Sequence, residues 1–378
     1  MRVLMLSERS APAGGAETYL ETTAAGLAAA GVDVRIVTRE DLGWAAEDEP
    51  GRPRSAAAVR AIAARFLPDS IALHNVLDAE VIGAARESSR NVTYHLHDHR
   101  LFCPNGDRVF PRGHANCMKP MGAACVAHAL VHGCAYGPRP ATLRLLQLRR
   151  ATRDAALASD VIVVLSRFMR DVAIRNGAQA AGIRTLDPPL SPVFLTAHAP
   201  PPPPRPTVLF SGRAVPGKGL CALVTAIARI APQRRPLLLI AGSGPDLKRA
   251  AEMARASECD FETLGQLDRD GVVQAIDRAT IVALPSLWAE PFGLTGIEAF
   301  ARGRPVAAYE VGAVTEWIGE GGIGVQRGDA AGLARAIEAL LGPARWAHAS
   351  QAARNIAQRF NIGRHTGELL DAYKVARG

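Results

Sequence analysis

Short apolar runs alternate with Ala- and Leu-rich helical stretches from one end of the chain to the other. Arg2 to Ser7 predicts a first buried strand, and an Ala/Leu-rich helix follows the Gly14-Gly15 turn and reaches about Ala30. Gly31 caps that helix, and Val32 to Thr38 predict the second strand. The rhythm continues with strands at Ile71 to His74 and Val92 to His95, between helical patterns around Ala56 to Phe66 and Ala79 to Glu87. A further helix spans Ala141 to Ser159, and a strand spans Val161 to Leu165, after which Ser166 N-caps the next helix. Strands that alternate with helices predict a parallel, doubly wound sheet, so the fold class is α/β.

The pattern stops and then restarts. Thr196 to Pro206 holds six prolines, five of them consecutive from Pro200 to Pro204, and reads as a semi-rigid interdomain linker. Beyond it, strands are expected at Thr207 to Ser211, Pro236 to Ala241, Phe261 to Leu264, Thr280 to Leu284 and Pro305 to Ala308. Helices at Ala330 to Leu341, Ala344 to Phe360 and Gly363 to Val375 close the chain. A first domain over 1–195, a linker over 196–206 and a second domain over 207–360 follow from this reading, and 378 residues exceed one ordinary core.

Composition changes this picture little. Hydrophobic residues at 48% and charged residues at 21% are ordinary for a globular enzyme. The net charge of +8 is scattered along the chain rather than gathered in a stripe, so no nucleic-acid partner is expected. No apolar run has the length of a spanning helix, so a cytoplasmic protein is expected. The Arg-rich helix at 141–159 is read as a solvated face, with membrane contact at most peripheral.

Four loops carry chemistry. In the first, Trp288-Ala289-Glu290-Pro291-Phe292-Gly293-Leu294-Thr295-Gly296-Ile297-Glu298 runs from a strand into a helix. The unpaired N–H groups of a first helical turn and the helix dipole favour a phosphate near Gly293, Leu294 and Thr295. Carboxylates repel phosphate, so Glu290 and Glu298 are suited to accepting hydrogen bonds from hydroxyls. The second loop holds Arg213 and Lys218, five residues apart after a strand, which suit the oxygens of a diphosphate. Gly242-Ser243-Gly244-Pro245 forms the third, a loosely phosphate-like turn. In the fourth, Gly265-Gln266-Leu267 is a rim for a base; Asp268-Arg269-Asp270 behind it looks like a metal-binding pair but is better read as a helix N-cap.

Residues 95–139 break the rhythm. His95, His97 and His99 could hold a metal, but the favoured reading is a single histidine reaching a ligand, with Asp98 or a backbone carbonyl setting its tautomer. Cys103, Cys117, Cys125 and Cys134 follow, four of six cysteines within 32 residues. They lack the paired spacing of ordinary zinc sites, so a structural four-thiolate zinc and ordinary buried thiols both remain open. A cytosolic compartment disfavours disulfides.

The chain resembles retaining glycosyltransferases of family four, the glycosyl transferases group 1 set with the GT-B fold. The resemblance rests on Gly14-Gly15-Ala16-Glu17, His97-Asp98 with Cys103-Pro104, Ser166-Arg167-Phe168, Gly212-Arg213 with Lys218-Gly219, Gly242-Ser243-Gly244-Pro245, and Glu290-Pro291-Phe292-Gly293 with Glu298. It implies two Rossmann-like domains facing across a cleft, an acceptor-binding first domain and a nucleotide-sugar-binding second one, and a last helix, about 361–378, that packs back on the first. It implies transfer of a hexosyl-type group from a nucleotide-sugar, commonly a UDP-sugar, to a hydroxyl acceptor, with no catalytic cofactor. It assigns Arg213 and Lys218 to the diphosphate, Glu298 to the ribose, Glu290 to the donor sugar, Gly265 and Gln266 to the base, Gly14 and Gly15 to the diphosphate and acceptor, and His97 to the sugar near the reacting carbon. The Asp187-Pro188-Pro189 segment departs from the family's Asn-Pro or Asn-Gly turn. A sugar-nucleotide epimerase, a phosphorylase and a non-catalytic nucleotide-sugar-binding protein are the alternatives.

Overall fold

The computed structural model describes residues 1–8, 14–42, 53–110, 116–134, 139–195 and 200–374. The chain folds into two compact units, one of Met1–Pro189 with Ile362–Gly378 and one of Leu190–Asn361.

In the first unit the strands are β1 (Arg2–Ser7), β2 (Asp33–Thr38), β3 (Ser70–His74), β4 (Val92–Leu96), β5 (Val161–Val164) and β6 (Ile183–Thr185). All pair in parallel, in the order β2-β1-β3-β4-β5-β6. The helices up to β6 are α1 (Gly15–Ala29), α2 (Pro53–Phe66), α3 (Ala79–Ser88), α4 (Ala124–His132), α5 (Arg139–Leu157) and α6 (Arg167–Arg175). Successive strand residues point to opposite faces, and both faces are covered, which is why β1, β3, β4 and β5 are apolar almost throughout. Leu4 and Leu6 pack on one side with residues of α2, α3 and α6, while Val3 and Met5 pack on the other with Leu20 and Leu27 of α1.

The second unit holds β7 (Thr207–Ser211), β8 (Leu237–Ala241), β9 (Phe261–Gly265), β10 (Ile281–Leu284), β11 (Val306–Tyr309) and β12 (Gly322–Val325). Its helices are α7 (Leu220–Ala228), α8 (Asp246–Ala256), α9 (Arg269–Asp277), α10 (Leu294–Ala301), α11 (Val314–Trp317), α12 (Ala330–Leu341) and α13 (Pro343–Ala357). The parallel sheet runs β12-β11-β10-β7-β8-β9. Chain direction across the sheet reverses between β7 and β10, the point at which doubly wound sheets leave a crevice at the carboxyl ends of the strands. Asp268 caps α9 by accepting from the Gly271 N–H at 2.8 Å, as expected of an N-cap, and Ser166 caps α6 from Met169 at 3.1 Å.

The last helix, α14 (Ile362–Tyr373), belongs to the first unit. Leu369, Ala372 and Tyr373 are buried with Val3, Met5, Leu20 and Leu27, and a Cβ on Gly26 of α1 would come within 2.6 Å of the Thr366 hydroxyl. The chain leaves the first unit between Pro189 and Leu190, ahead of the Pro-rich stretch that the sequence suggests as the linker. Residues 196–199 of that stretch lie outside the described residues. Pro200 accepts a hydrogen bond from Arg304 at 2.8 Å, so this part of the stretch is anchored to the second unit.

The sequence pattern passes over three elements. β6 and β12 are three and four residues long and sit at sheet edges, and α4 forms inside the segment read as an irregular loop.

Candidate functional site

The two strands at the reversal, β7 and β10, feed loops that pack together at their carboxyl ends. The Leu287 N–H donates to the Gly217 carbonyl at 2.8 Å, across the two loops. Gly219 is left-handed (φ +74), and a Cβ there would meet the Pro285 carbonyl oxygen at 1.9 Å. Gly312, also left-handed (φ +57), is pressed in the same way against the Glu290 backbone. These glycines let three loops stack closely enough for their side chains to meet.

Lys218 and Glu290 meet there. The Lys218 Nζ lies 2.7 Å from Glu290 Oε1, and the Ser286 hydroxyl donates to the same oxygen at 2.5 Å. The Glu290 side chain is 3% exposed and the Lys218 side chain 22%. Burial acts to raise the Glu290 pKa, but the Lys218 charge and the hydrogen bonds from Lys218, Ser286 and Trp288 outweigh it and hold the carboxyl below its ordinary value. The ammonium also sits 4.8 Å from the centroid of the Trp288 ring. The sequence assigns Lys218 and Glu290 to different parts of a ligand; the fold couples them directly. Neither Ser286 nor Trp288 has a role legible in the sequence, because their types carry no signal until the loop brings them to Glu290.

Behind Glu290 the chain enters α10. Gly293 adopts the left-handed conformation (φ +94) as N-cap, so the first-turn N–H groups of Leu294 and Thr295 have no partner within the helix. The Trp317 indole N–H donates to the Phe292 carbonyl at 2.7 Å and braces the turn. Glu298 lies one turn on. Burial raises its carboxyl to about 7, with the Arg269 charge offsetting part of the rise. Arg213 is exposed and makes no ion pair among the described residues. Gly265 (φ +70) and Gln266 are exposed at the end of β9, where Gln266 Oε1 accepts from the Ser243 hydroxyl at 3.3 Å.

In the first unit, Gly14 is the extended N-cap of α1 (φ −175) and Gly15 its first residue. A Cβ on Gly14 would come within 3.2 Å of Glu17 Oε2. His97 follows β4 and makes a 3.0 Å contact from Nε2 to Nδ1 of His74, the last residue of β3. Burial lowers the His97 pKa to about 4, so the ring is neutral at ordinary pH. Asp98, one of the two partners weighed for this ring beside a backbone carbonyl, is committed elsewhere. It accepts from Arg100 at 2.8 Å and Asn75 at 2.9 Å, while Arg100 also reaches Glu8 at 2.9 Å. His99 turns inward and packs edge-on against Phe168, away from His95 and His97, in keeping with the reading that disfavours a metal site on His95, His97 and His99. His74, a strand residue with no motif around it, takes the place of His99: one nitrogen each of His74, His95 and His97 lies within 4.8 Å of the others.

The four clustered cysteines lie on different local elements. Cys103 follows β4, Cys117 follows an antiparallel bridge between Val109 and Asn116, Cys125 lies in the first turn of α4, and Cys134 lies just past its left-handed cap Gly133. The Cys134 thiol is pushed up by burial and by the thiols of Cys103, Cys117 and Cys125. All six cysteines are unpaired.

Residues 205–342 match the family model described as glycosyl transferases group 1. Over 139 residues the chain is 34% identical to the phosphatidyl-myo-inositol mannosyltransferase of Mycobacterium leprae, and over 190 residues it is 35% identical to the D-inositol 3-phosphate glycosyltransferase of Nocardia farcinica. These matches take in 36% and 46% of this chain and 37% and 41% of those proteins, so the chain spans less than half of either relative. The glycogen synthase of Mycobacterium tuberculosis is 26% identical over 379 residues, covering 90% of this chain and 86% of that one. Among solved structures, Anabaena HepE in complex with UDP and glucose superposes with a TM-score of 0.69 at 18% identity, over 98% of both chains. Sucrose-phosphate synthase from Thermosynechococcus elongatus superposes with a TM-score of 0.70 at 21% identity, again over 98% of both chains. Residues 205–342 are thus similar to the glycosyl transferases group 1 family, and two parallel Rossmann-like sheets with structural neighbours over 98% of both chains show the GT-B fold.

Proposed function

We propose that the chain is a retaining glycosyltransferase that moves a sugar from a nucleoside-diphosphate sugar, taken here as a UDP-sugar, to an acceptor hydroxyl without a catalytic metal. The single observation that carries this reading is the buried Lys218–Glu290 pair beside the first turn of α10, at the reversal point of the second sheet. A cation, a set of helix N–H groups and a buried carboxylate at one place match a phosphate joined to a polyhydroxylated group. UDP is favoured because Anabaena HepE binds UDP and UDP-glucose.

On this reading Lys218 and Arg213 meet the diphosphate, and the N–H groups of Leu294 and Thr295 meet the phosphate next to the sugar. Glu290 takes the sugar hydroxyls and keeps the Lys218 ammonium in place. Glu298 takes the ribose hydroxyls, and Gly265 with Gln266 face the base. His97, Gly14 and Gly15 of the first unit act on the sugar and the acceptor. The C1–phosphate oxygen bond breaks as the C1–acceptor oxygen bond forms on the same face, and the acceptor proton passes to the departing phosphate oxygen. The diphosphate gains charge as it leaves, and fixed cations and helix N–H groups stabilise that charge without reorganising. Such an enzyme works in the cytoplasm, in keeping with six unpaired cysteines.

The test is release of nucleoside diphosphate from a panel of nucleotide-sugars. Lys218→Ala is expected to lower kcat/KM by about 10²–10³-fold with circular dichroism unchanged, and a chelator to leave turnover within about twofold. Activity in Lys218→Ala within threefold of the wild type would refute the leaving-group site, and loss under chelator that Mg²⁺ restores would refute metal independence.

A further inference from the structure

Basic residues are scattered along the chain, but their excess over acidic ones is not. Of 44 basic and 36 acidic residues, the segment 108–153 holds eight of the basic and none of the acidic. The rest of the chain is balanced at 36 of each, so this segment carries the whole net charge of +8. It lies between β4 and β5 of the first unit and contains α4 and most of α5.

α4 reverses the ordinary pattern of a surface helix, whose outward positions are polar. It has no Asp, Glu, Lys or Arg and no buried residue, and its exposed positions are Ala124, Ala127, Leu130 and Val131. Leu130 is 54% exposed and Val131 62%. With Met118 and Leu143, they make up half of the eight exposed large apolar side chains among the described residues. One exposed aliphatic side chain is unremarkable on any protein, but a gathering of them marks a contact surface. α4 packs against α5, whose exposed residues include Leu143, Arg144 and Arg150.

The helix is held with this face outward. The Phe110 ring packs against His128 and His132 at centroid distances of 5.3 and 4.4 Å. Just ahead of α4, Arg108 donates to the Lys119 carbonyl and Arg153 to the Met121 carbonyl, each at 3.2 Å. The Met121 N–H donates to Asn176 at 2.8 Å. Two cations of the segment thus anchor the approach to α4, while Lys119, Arg144 and Arg150 stay exposed.

We propose that α4 and the exposed face of α5 form a peripheral docking surface for an anionic phospholipid membrane. Leu130 and Val131 enter the headgroup boundary, and Lys119, Arg144 and Arg150 meet the lipid phosphates. A few buried aliphatic side chains give shallow, reversible binding, to which cations facing a negative surface add a salt-sensitive part. The lack of carboxylates matters equally, since an anionic surface would repel them. A nucleic acid fits less well, because an aliphatic helix offers its bases neither hydrogen bonds nor rings to stack on. In a two-fold contact with a second copy, the same cations would face each other. The proposal goes beyond glycosyl transfer, and its test needs no substrate.

The experiment is flotation of the full chain with vesicles of phosphatidylcholine alone or with phosphatidylglycerol added. Binding to the anionic vesicles is expected to exceed that to the neutral ones by about tenfold and to fall several-fold as salt rises from about 0.1 to 0.5 M. The double variant Leu130→Asp with Val131→Asp should lose about tenfold in binding to anionic vesicles with its melting temperature unchanged. Lys119→Glu, Arg144→Glu and Arg150→Glu together should bring anionic binding down to the neutral level. Leu67→Asp, exposed elsewhere in the first unit, should change nothing. Equal or no binding to the two vesicles, or binding of the aspartate variant within threefold of the wild type, would overturn the proposal. A wild-type dimer that the aspartate variant splits would assign the face to a second copy, and an oligonucleotide bound more tightly than the anionic vesicles would assign it to nucleic acid; either also overturns it. If the aspartate variant does not fold, the charge-reversal variant decides.

Discussion

Glu298 shows how burial sets the working range of one side chain. Its carboxyl is raised to about 7, above its ordinary value of 4.5, so in the folded chain it binds a proton that the unfolded chain has released. The resulting stabilisation is complete below about 4.5 and is lost as pH rises through about 7. Glu298→Gln, which stays neutral, is therefore expected to melt higher than the wild type at pH 8, by about 2–4 °C for each kcal/mol, and at the same temperature at pH 4.5. A ribose hydroxyl is best met by the carboxylate, so donor affinity should rise as pH passes through about 7 in the wild type and stay flat in the Gln variant. Calorimetry in buffers of different ionisation enthalpy would check this, since binding to the wild type near pH 6.5 should release a proton. An identical pH dependence in both proteins would remove Glu298 from the donor site.

The α10 turn does its work as an element. Gly296 lies under the Trp317 ring, where a Cβ would come within 1.9 Å of the indole, and Gly293 touches the same ring. Trp317 in turn holds the Phe292 carbonyl and packs edge-on against Phe300. Gly296→Ala should displace Trp317 and tilt the helix start, costing about 1–3 kcal/mol and weakening donor binding together with stability. The control is Gly367→Ala on α14, where an added Cβ meets nothing; thermal melts of the two should differ clearly. The periodicity of the sequence places α10 correctly, and its loop residues are those proposed for the phosphate. It does not show that the helix start leans on an indole more than twenty residues later, because side-chain packing over that separation leaves no local pattern.

Across the whole molecule, the buried histidines of the first unit and Glu298 of the second respond to acid in opposite directions. His74, His95, His97 and His365 are buried in the first unit with pKa values pushed down, chiefly by burial, while in the unfolded chain they take up protons below about 6.5. The first unit should lose stability as pH falls from about 6.5, the reverse of the Glu298 contribution in the second. Hydrogen exchange at pH 5 and pH 8 would resolve the units and check the sign of each. The same experiment tests α14: a chain ending at Asn361 loses Leu369 and Tyr373 from the first-unit core, and the first unit should exchange as an unfolded segment while the second keeps its protection.

Hydrophobic runs, helix caps and glycines in the sequence are enough to determine the strand–helix alternation, the two doubly wound units and the loops that carry Lys218, Glu290 and Glu298. These are local properties: period, capping and turn chemistry act over a few residues, so they can be read along the chain. Several features are decided only when distant segments meet. Lys218 and Glu290, 72 residues apart, become one buried pair because β7 and β10 are neighbours at the sheet reversal. His74 becomes the partner of His97 because β3 and β4 are neighbours in register. Strand order fixes distances that spacing along the chain cannot carry, and the chemistry of each site depends on those distances.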